Sequence, residues 1–376
     1  MSKVKSCLRM MAAVAAFAFT GGVVHAADID YGKPGEPVHL VVGFQPYSTM
    51  TWSGVVMAGK KFYENYLPKG STVEFQIGLQ GTLVVNQMLA GKNHIGYLGD
   101  TPAIAATTKK EVADVRIVSV LAISYDICNV FISRVDAPKF ANSIEAIKWL
   151  DGKQIAVPKG SCTDRFAQVV YKKHNIKPAA YLNQNIEVIT SNFRAGKLDA
   201  AVVWEPVASR LVEEGLARRI ASGASVQEDE GGFLAMRADL IKQRPDVVKA
   251  WMNAELDAQL YLADEKNAME VVQMVKSRTT GFSEKVLWTA LYGVYPESAG
   301  GNKTRAYLHF GFTPQTINLV DKATVFLHSI KTINTDKLRA DAVMPQFAAE
   351  VLKERKLIAP VGDVVGQPDS AFTGKK

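Results

Sequence analysis

Residues that carry chemistry are scarce in this chain. It has three cysteines and six histidines in 376 residues. The histidines, His25, His39, His94, His174, His309 and His328, show no metal-ligand spacing, so no metal is expected. No G-x-S-x-G elbow, no G-x-x-x-x-G-K-[ST] loop and no G-x-G-x-x-G after a strand occurs, and "AGGNKTR" at 299–305 resembles a phosphate loop only superficially. No catalytic residue and no cofactor is therefore expected. Long apolar runs are missing too: no window after the first 26 residues approaches the roughly 18 apolar residues of a membrane span. Nor is there a basic block or an aromatic-interleaved Lys/Arg stripe, which argues against nucleic acid as a partner.

What is present begins with a basic stretch, "MSKVKSCLRM", then an apolar one, "MAAVAAFAFTGGVV", then the small-residue site "VHA". This reads as a secretory signal peptide over residues 1–26, cleaved after Ala26 to release a soluble exported chain. Cys7 precedes the apolar stretch and does not read as a lipid anchor. Taking Lys3, Lys5 and Arg9 from the 44 basic residues leaves 41 against 37 acidic ones, an excess of +4. A hydrophobic fraction of 48% over the remaining length supports two packed lobes. Cys128 and Cys162 remain after processing. In an oxidising compartment they are a candidate disulfide; the alternative is two small buried apolar residues. Cys162, at a helix start, is also the best enzymatic feature available, but it lacks an evident histidine partner.

From Val38 the chain alternates strand-like and helix-like segments: "VHLVVGF", "WSGVVMAGKKFYENYL", "VEFQIG", "LVVNQMLAG", "HIGYLG", "PAIAATTKK". The near-continuous apolar strands imply parallel pairing with both sheet faces covered. The rhythm repeats from "RIVSVLAIS" to "DAAVVW", with "IEVIT" taken as a strand. Helices dominate after Pro245. One long helical pattern runs from "PDVVKAW" to "VVQMV", a terminal helix is interrupted at Pro345, and the tail reads as loose.

Open parallel sheets bind ligands beyond the carboxyl ends of their strands. Five strand-to-helix junctions stand out: "GFQPYSTMTW", "GLQGTLVVNQ", "LGDTPA", "PKGSCTDRF" and "VVWEPVA". Each contains ordinary capping residues. Several such helix starts at one sheet edge present unpaired backbone N–H groups that together can receive an anion. Asp100, Asp126 and Glu205 repel a bare anion but can accept from an ammonium, so a zwitterion satisfies both halves; the alternative is that they cap turns and helices. Tyr47, Tyr125 and Trp204 can wall the site, and Lys159 and Arg165 can add positive charge.

The segments "VVGFQPY", "QGTLVVNQMLAGKNHIGYLGDTPAIAA", "KQIAVPKGSCTDRFAQVVYKKHNI", "FRAGKLDAAVVWEPVASRLVEEG" and "RADLIKQRPDVVKAW" resemble the periplasmic substrate-binding proteins of ABC importers for nitrate, sulfonate and taurine. The resemblance covers about residues 38 to 262. It implies an α/β, two-lobed type II periplasmic binding fold with two hinge crossovers and a helical C-terminal extension. Lobe one is then residues 28–124 with 228–376, and lobe two is residues 125–227. The implied ligand contacts are Gln45, Tyr47, Gly81, Thr82, Asp100, Thr101, Tyr125, Asp126, Ser161, Thr163, Trp204 and Glu205. The implied function is that of a monomeric receptor that captures a small solute, taurine or another sulfonate first and nitrate or bicarbonate second, and delivers it to a membrane permease. The rivals are an enzyme of the pyrimidine-precursor or menaquinone-pathway type on the same fold, and a solute-sensing receptor.

Overall fold

A computed structural model describes residues 29–374, so the expected leader lies outside the described residues. Seven strands form the first sheet: β1 (His39–Phe44), β2 (Thr72–Ile77), β3 (Ile95–Gly99), β4 (Val115–Ser124), β10 (Glu230–Arg237), β11 (Thr304–Leu308) and β12 (Gly362–Val365). Their order is β12-β11-β4-β10-β3-β1-β2. The second sheet, ordered β7-β6-β8-β5-β9, holds β5 (Val130–Arg134), β6 (Gln154–Val157), β7 (Ala180–Asn183), β8 (Ala200–Val203) and β9 (Ala217–Ser222). The fold is a two-lobed α/β architecture with one sheet in each lobe.

The expected parallel pairing holds for β1 with β2 and β3, and for β6 with β7 and β8. The remaining pairings are antiparallel, β10 with β3 and β4 among them. The reason is the route of the chain: it leaves the first sheet at the end of β4, builds the second, and returns through β10. The outgoing and returning strands therefore lie side by side in opposite directions, and every residue of both is buried or nearly so.

The two connections are clasped by one carboxylate. Glu230, fully buried at the start of β10, accepts from the backbone N–H groups of Ile127 (2.7 Å), Cys128 (2.5 Å) and Asn129. Burial pushes this carboxyl up to about 8, against the opposing pull of the backbone donors.

Three local expectations change. "IEVIT" lies in the helix Ile186–Arg194, because Asn185 caps it by accepting from Val188 N–H (2.9 Å) and Ile186, Ile189, Thr190 and Phe193 fall on one buried helical face. The long helical pattern after Pro245 splits into Pro245–Ala263 and Ala268–Lys276, with Asp264 extended between them. Only Gln346–Arg355 is helical around Pro345, and the tail supplies β12, an edge strand paired with β11.

Inside the first lobe, Glu255 is fully buried and accepts from Tyr97 Oη (2.8 Å) and Gln259 Nε2 (3.0 Å). Burial raises its pKa from 4.5 to about 7. The folded protein then holds a proton that the unfolded chain releases. This contribution to stability is fully present below pH 4.5 and is lost as pH rises to about 7. Glu255→Gln can still accept from Gln259 through its amide oxygen while its NH₂ donates to a reoriented Tyr97 hydroxyl, and it is expected to remove a loss of about 3 kcal/mol over that window, at ~1.4 kcal/mol per pKa unit. Urea denaturation at pH 5 and pH 8 checks this; an unchanged pH slope in the variant refutes it.

Candidate functional site

Three helices begin at one cleft between the lobes. Gly81–Leu89 follows β2, Asp100–Thr107 follows β3, and Cys162–His174 follows β6. The cleft has a volume of about 130 Å³, well below the roughly 300–1,000 Å³ of sites for drug-sized ligands, so it suits a small solute. The first lobe contributes Gln80, Gly81, Thr82, Thr101, Pro102 and Ala105. The second contributes Pro158, Lys159, Gly160, Ser161 and Trp204. Leu327 and Thr332 close one side.

Packing dictates several of these residues. A Cβ on Gly81 would fall 2.5 Å from Cγ of Pro102, so glycine lets the starts of two helices meet. Ser161 caps the third helix by accepting from Asp164 N–H (3.4 Å) and donates to the Pro158 carbonyl (2.5 Å), which holds the 158–161 turn against the cleft. Thr101 is the exception to this economy. Its side chain is 1% exposed, yet Oγ1 has no hydrogen-bond partner. A buried hydroxyl in that condition normally has a ligand or water to bond. Among the described residues that line the cleft, Lys159 is the only charged one. Its ammonium lies 5.0 Å from the centre of the Tyr181 ring.

Of the residues put forward from sequence, Gly81, Thr82, Thr101, Ser161 and Trp204 line this cleft. The others have structural partners instead. The Gln45 amide donates to the Tyr97 carbonyl (2.8 Å), and Tyr47 accepts at Oη from Thr280 N–H (3.3 Å). Tyr125 Oη bonds Gln315 (3.1 Å), while Thr163 Oγ1 meets Ser161 Oγ at 2.6 Å.

The acids expected to greet an ammonium are all paired with arginines. Asp100 meets Arg165 at 3.2 Å, and Asp126 meets Arg305 and Arg219. Glu205 meets Arg219 at 3.1 Å and accepts from Ser209 Oγ (2.7 Å). Asp100, Asp126 and Glu205 are fully buried, and a buried carboxylate without a cation would be costly; the nearby guanidiniums answer that need and leave no acid for a ligand's amine. Burial raises the pKa of Asp100, with Arg165 opposing. Arg165 itself, expected to add charge to the site, is spent between Asp100, Glu228 and the Asp229 carbonyl.

The candidate disulfide residues are both buried free thiols, with Cys128 hydrogen-bonded to Cys162; that bond and burial raise the Cys128 pKa. Among the described residues no group of three or more His, Cys, Asp or Glu is placed to hold a metal. A larger groove of about 810 Å³ lies between the helices Cys162–His174 and Pro314–Ser329. Its main charges are already matched, with Lys322 bonded to Glu228 and Asp229, and it carries no buried unpaired hydroxyl. Sequence reasoning did not find Leu327 and Thr332, because an ordinary amphipathic helix and the turn that follows it give no sign of which of their residues reach a distant cleft.

A profile described as the NMT1-like family matches residues 33–276. Residues of the chain are 28% identical over 196 positions to the taurine-binding periplasmic protein of Escherichia coli (strain K12), a match covering 50% of this chain and 57% of that relative. The periplasmic nitrate-binding protein NrtA from Synechocystis PCC 6803 superposes with a TM-score of 0.68 at 14% identity, covering 86% of this chain and 90% of that one. The alkanesulfonate-binding protein SsuA from Xanthomonas axonopodis pv. citri, bound to MOPS, superposes with a TM-score of 0.62 at 19% identity, covering 82% and 99%. At these identities the two structures establish a shared fold.

Proposed function

The chain belongs to the NMT1-like family, and on that premise we propose that it is a periplasmic receptor that binds a small organic anion, a short-chain sulfonate first, and delivers it to the permease of an ABC importer. Nitrate and bicarbonate come second. The observation that carries this reading is the buried, unpartnered Thr101 hydroxyl at the meeting point of three helix starts, in a cleft where Lys159 is the only charged residue among the described ones. A helix terminus contributes ~0.3–1 kcal/mol at an exposed site, so three of them with a hydroxyl and an ammonium approach what a micromolar anion needs only if apolar contact adds the rest. Trp204, Pro102 and Ala105 offer that contact, which favours a sulfonate with a carbon chain over a bare oxyanion. The moving bodies are residues 28–124 with 228–376, and residues 125–227. They close because the ligand binds the closed arrangement more tightly.

A thermal-shift panel of methanesulfonate, ethanesulfonate, taurine, nitrate and bicarbonate tests the reading. At a hundredfold excess over its dissociation constant, a ligand adds ~2.7 kcal/mol of stability. Since no carboxylate lines the cleft, ethanesulfonate is expected to bind at least as tightly as taurine. A panel in which no anion raises the midpoint sinks the proposal. Lys159→Gln is expected to weaken every anion about tenfold, ~1.4 kcal/mol, with the loss shrinking as salt rises; isothermal titration at two ionic strengths measures it.

A further inference from the structure

We propose that residues 314–333 form a selectivity gate in which Leu327 and Thr332 limit the length of the ligand's carbon chain. This rests on the reading of the cleft as an organic-anion site. Both residues line the cleft, and both lie beyond the stretch matched to the family, residues 33–276.

Its position is built in at both ends. Pro314 opens the helix Pro314–Ser329, and Thr313 and Thr316 form a reciprocal capping box at its start. Two turns apart on one helical face, Gln315 and Lys322 reach the connections between the lobes. Gln315 Nε2 donates to Tyr125 Oη (3.1 Å) and Asp229 Oδ2 (3.3 Å), and Lys322 Nζ donates to Asp229 Oδ1 (2.6 Å) and Glu228 Oε1 (3.3 Å). The adjoining face buries Leu319, Val320, Ala323 and Leu327 in one core cluster with Ala103 and Ile104. Leu327 is thus held by packing, at 1% exposure, with part of its surface on the cleft. The chain then turns through Lys331 at φ 61°, and Thr332 N–H bonds back to the Leu327 carbonyl (2.9 Å), which returns Thr332 to the same wall.

The cleft is lined by both polar and apolar residues. Thr101 and Ala105, four residues apart on one face of the helix Asp100–Thr107, both line it, so an anion bonded at Thr101 points its chain along that face. One helical turn spans about 5.4 Å. A tail that runs the length of the cleft then meets the wall that Leu327 and Thr332 form.

The experiment titrates methane-, ethane-, butane- and hexanesulfonate into the full protein, Leu327→Ala and Thr332→Phe by calorimetry. In the wild type, affinity is expected to rise with the first carbons and fall at hexanesulfonate. Leu327→Ala should improve hexanesulfonate about tenfold relative to methanesulfonate, the worth of roughly two buried methylenes. Thr332→Phe should move the fall to shorter chains. Thr332 is exposed, so that variant folds even if removing the buried Leu327 side chain proves too disruptive. Chain-length profiles identical to the wild type in a folded Thr332→Phe protein overturn the gate and leave the receptor reading standing. A wild type that binds none of the four sulfonates removes the gate, and the receptor reading falls with it only if nitrate and bicarbonate also fail to bind.

Discussion

Alanine at position 230 is expected to lower the unfolding free energy by about 3 kcal/mol or more. Glu230 is the single acceptor for three consecutive backbone donors, those of Ile127, Cys128 and Asn129, in a place with no solvent. Removing the carboxylate leaves each N–H buried and unpaired at ~1–3 kcal/mol apiece, offset in part by water entering the gap. Glu230→Gln is a gentler test, because its amide oxygen still accepts while its NH₂ faces a donor; it is expected to cost about half as much. Guanidinium unfolding of the two variants measures both values. If alanine costs less than about 1 kcal/mol, the clasp does not hold the two connections together. Since, among the described residues, these connections are the only strand-to-strand passages between the sheets, the same variant should also weaken ligand binding by loosening the cleft.

Trp204→Ala is expected to weaken the best ligand about thirty- to hundredfold, the ~2–3 kcal/mol typical of a buried aromatic anchor. Trp204 follows β8 and forms the second lobe's wall of the cleft, and its Nε1 donates across to the Tyr47 carbonyl at 3.2 Å. The substitution removes both the wall and one of the hydrogen bonds between the lobes. Trp204 is only half-buried, so the apo protein should still fold cooperatively. Trp204→Phe keeps most of the wall and loses the N–H, and should fall between the two. A calorimetric titration with ethanesulfonate decides: an unchanged affinity in the alanine variant takes Trp204 out of the site.

The junctions at Gly81, Thr101, Ser161 and Trp204 were legible in the chain because their signals are local. A glycine between two helix starts, a Thr-Pro pair and a serine cap act within a few residues of the strand they follow. The acids were misjudged for the opposite reason. Asp100 and Arg165 are 65 positions apart, and Asp126 and Arg305 are 179 apart, so nothing near either acid announces its cation. "IEVIT" misled because β-branched residues suggest a strand, while the Asn185 cap and the spacing of Ile186, Ile189 and Phe193 decide for a helix once a sheet lies beneath them.

By itself the sequence determined the alternation of strands and helices, the two α/β units and the helix starts that line the cleft, all of which follow from periodicity and capping within short windows, and its motifs carried the family resemblance. Only the tertiary structure decided that the tip carboxylates belong to arginines, that Glu230 binds the two connections to each other, and that a helix ending near position 329 closes the cleft with Leu327 and Thr332. These depend on charge pairing and packing between segments tens to hundreds of residues apart, which are settled by burial and not by neighbours in the chain.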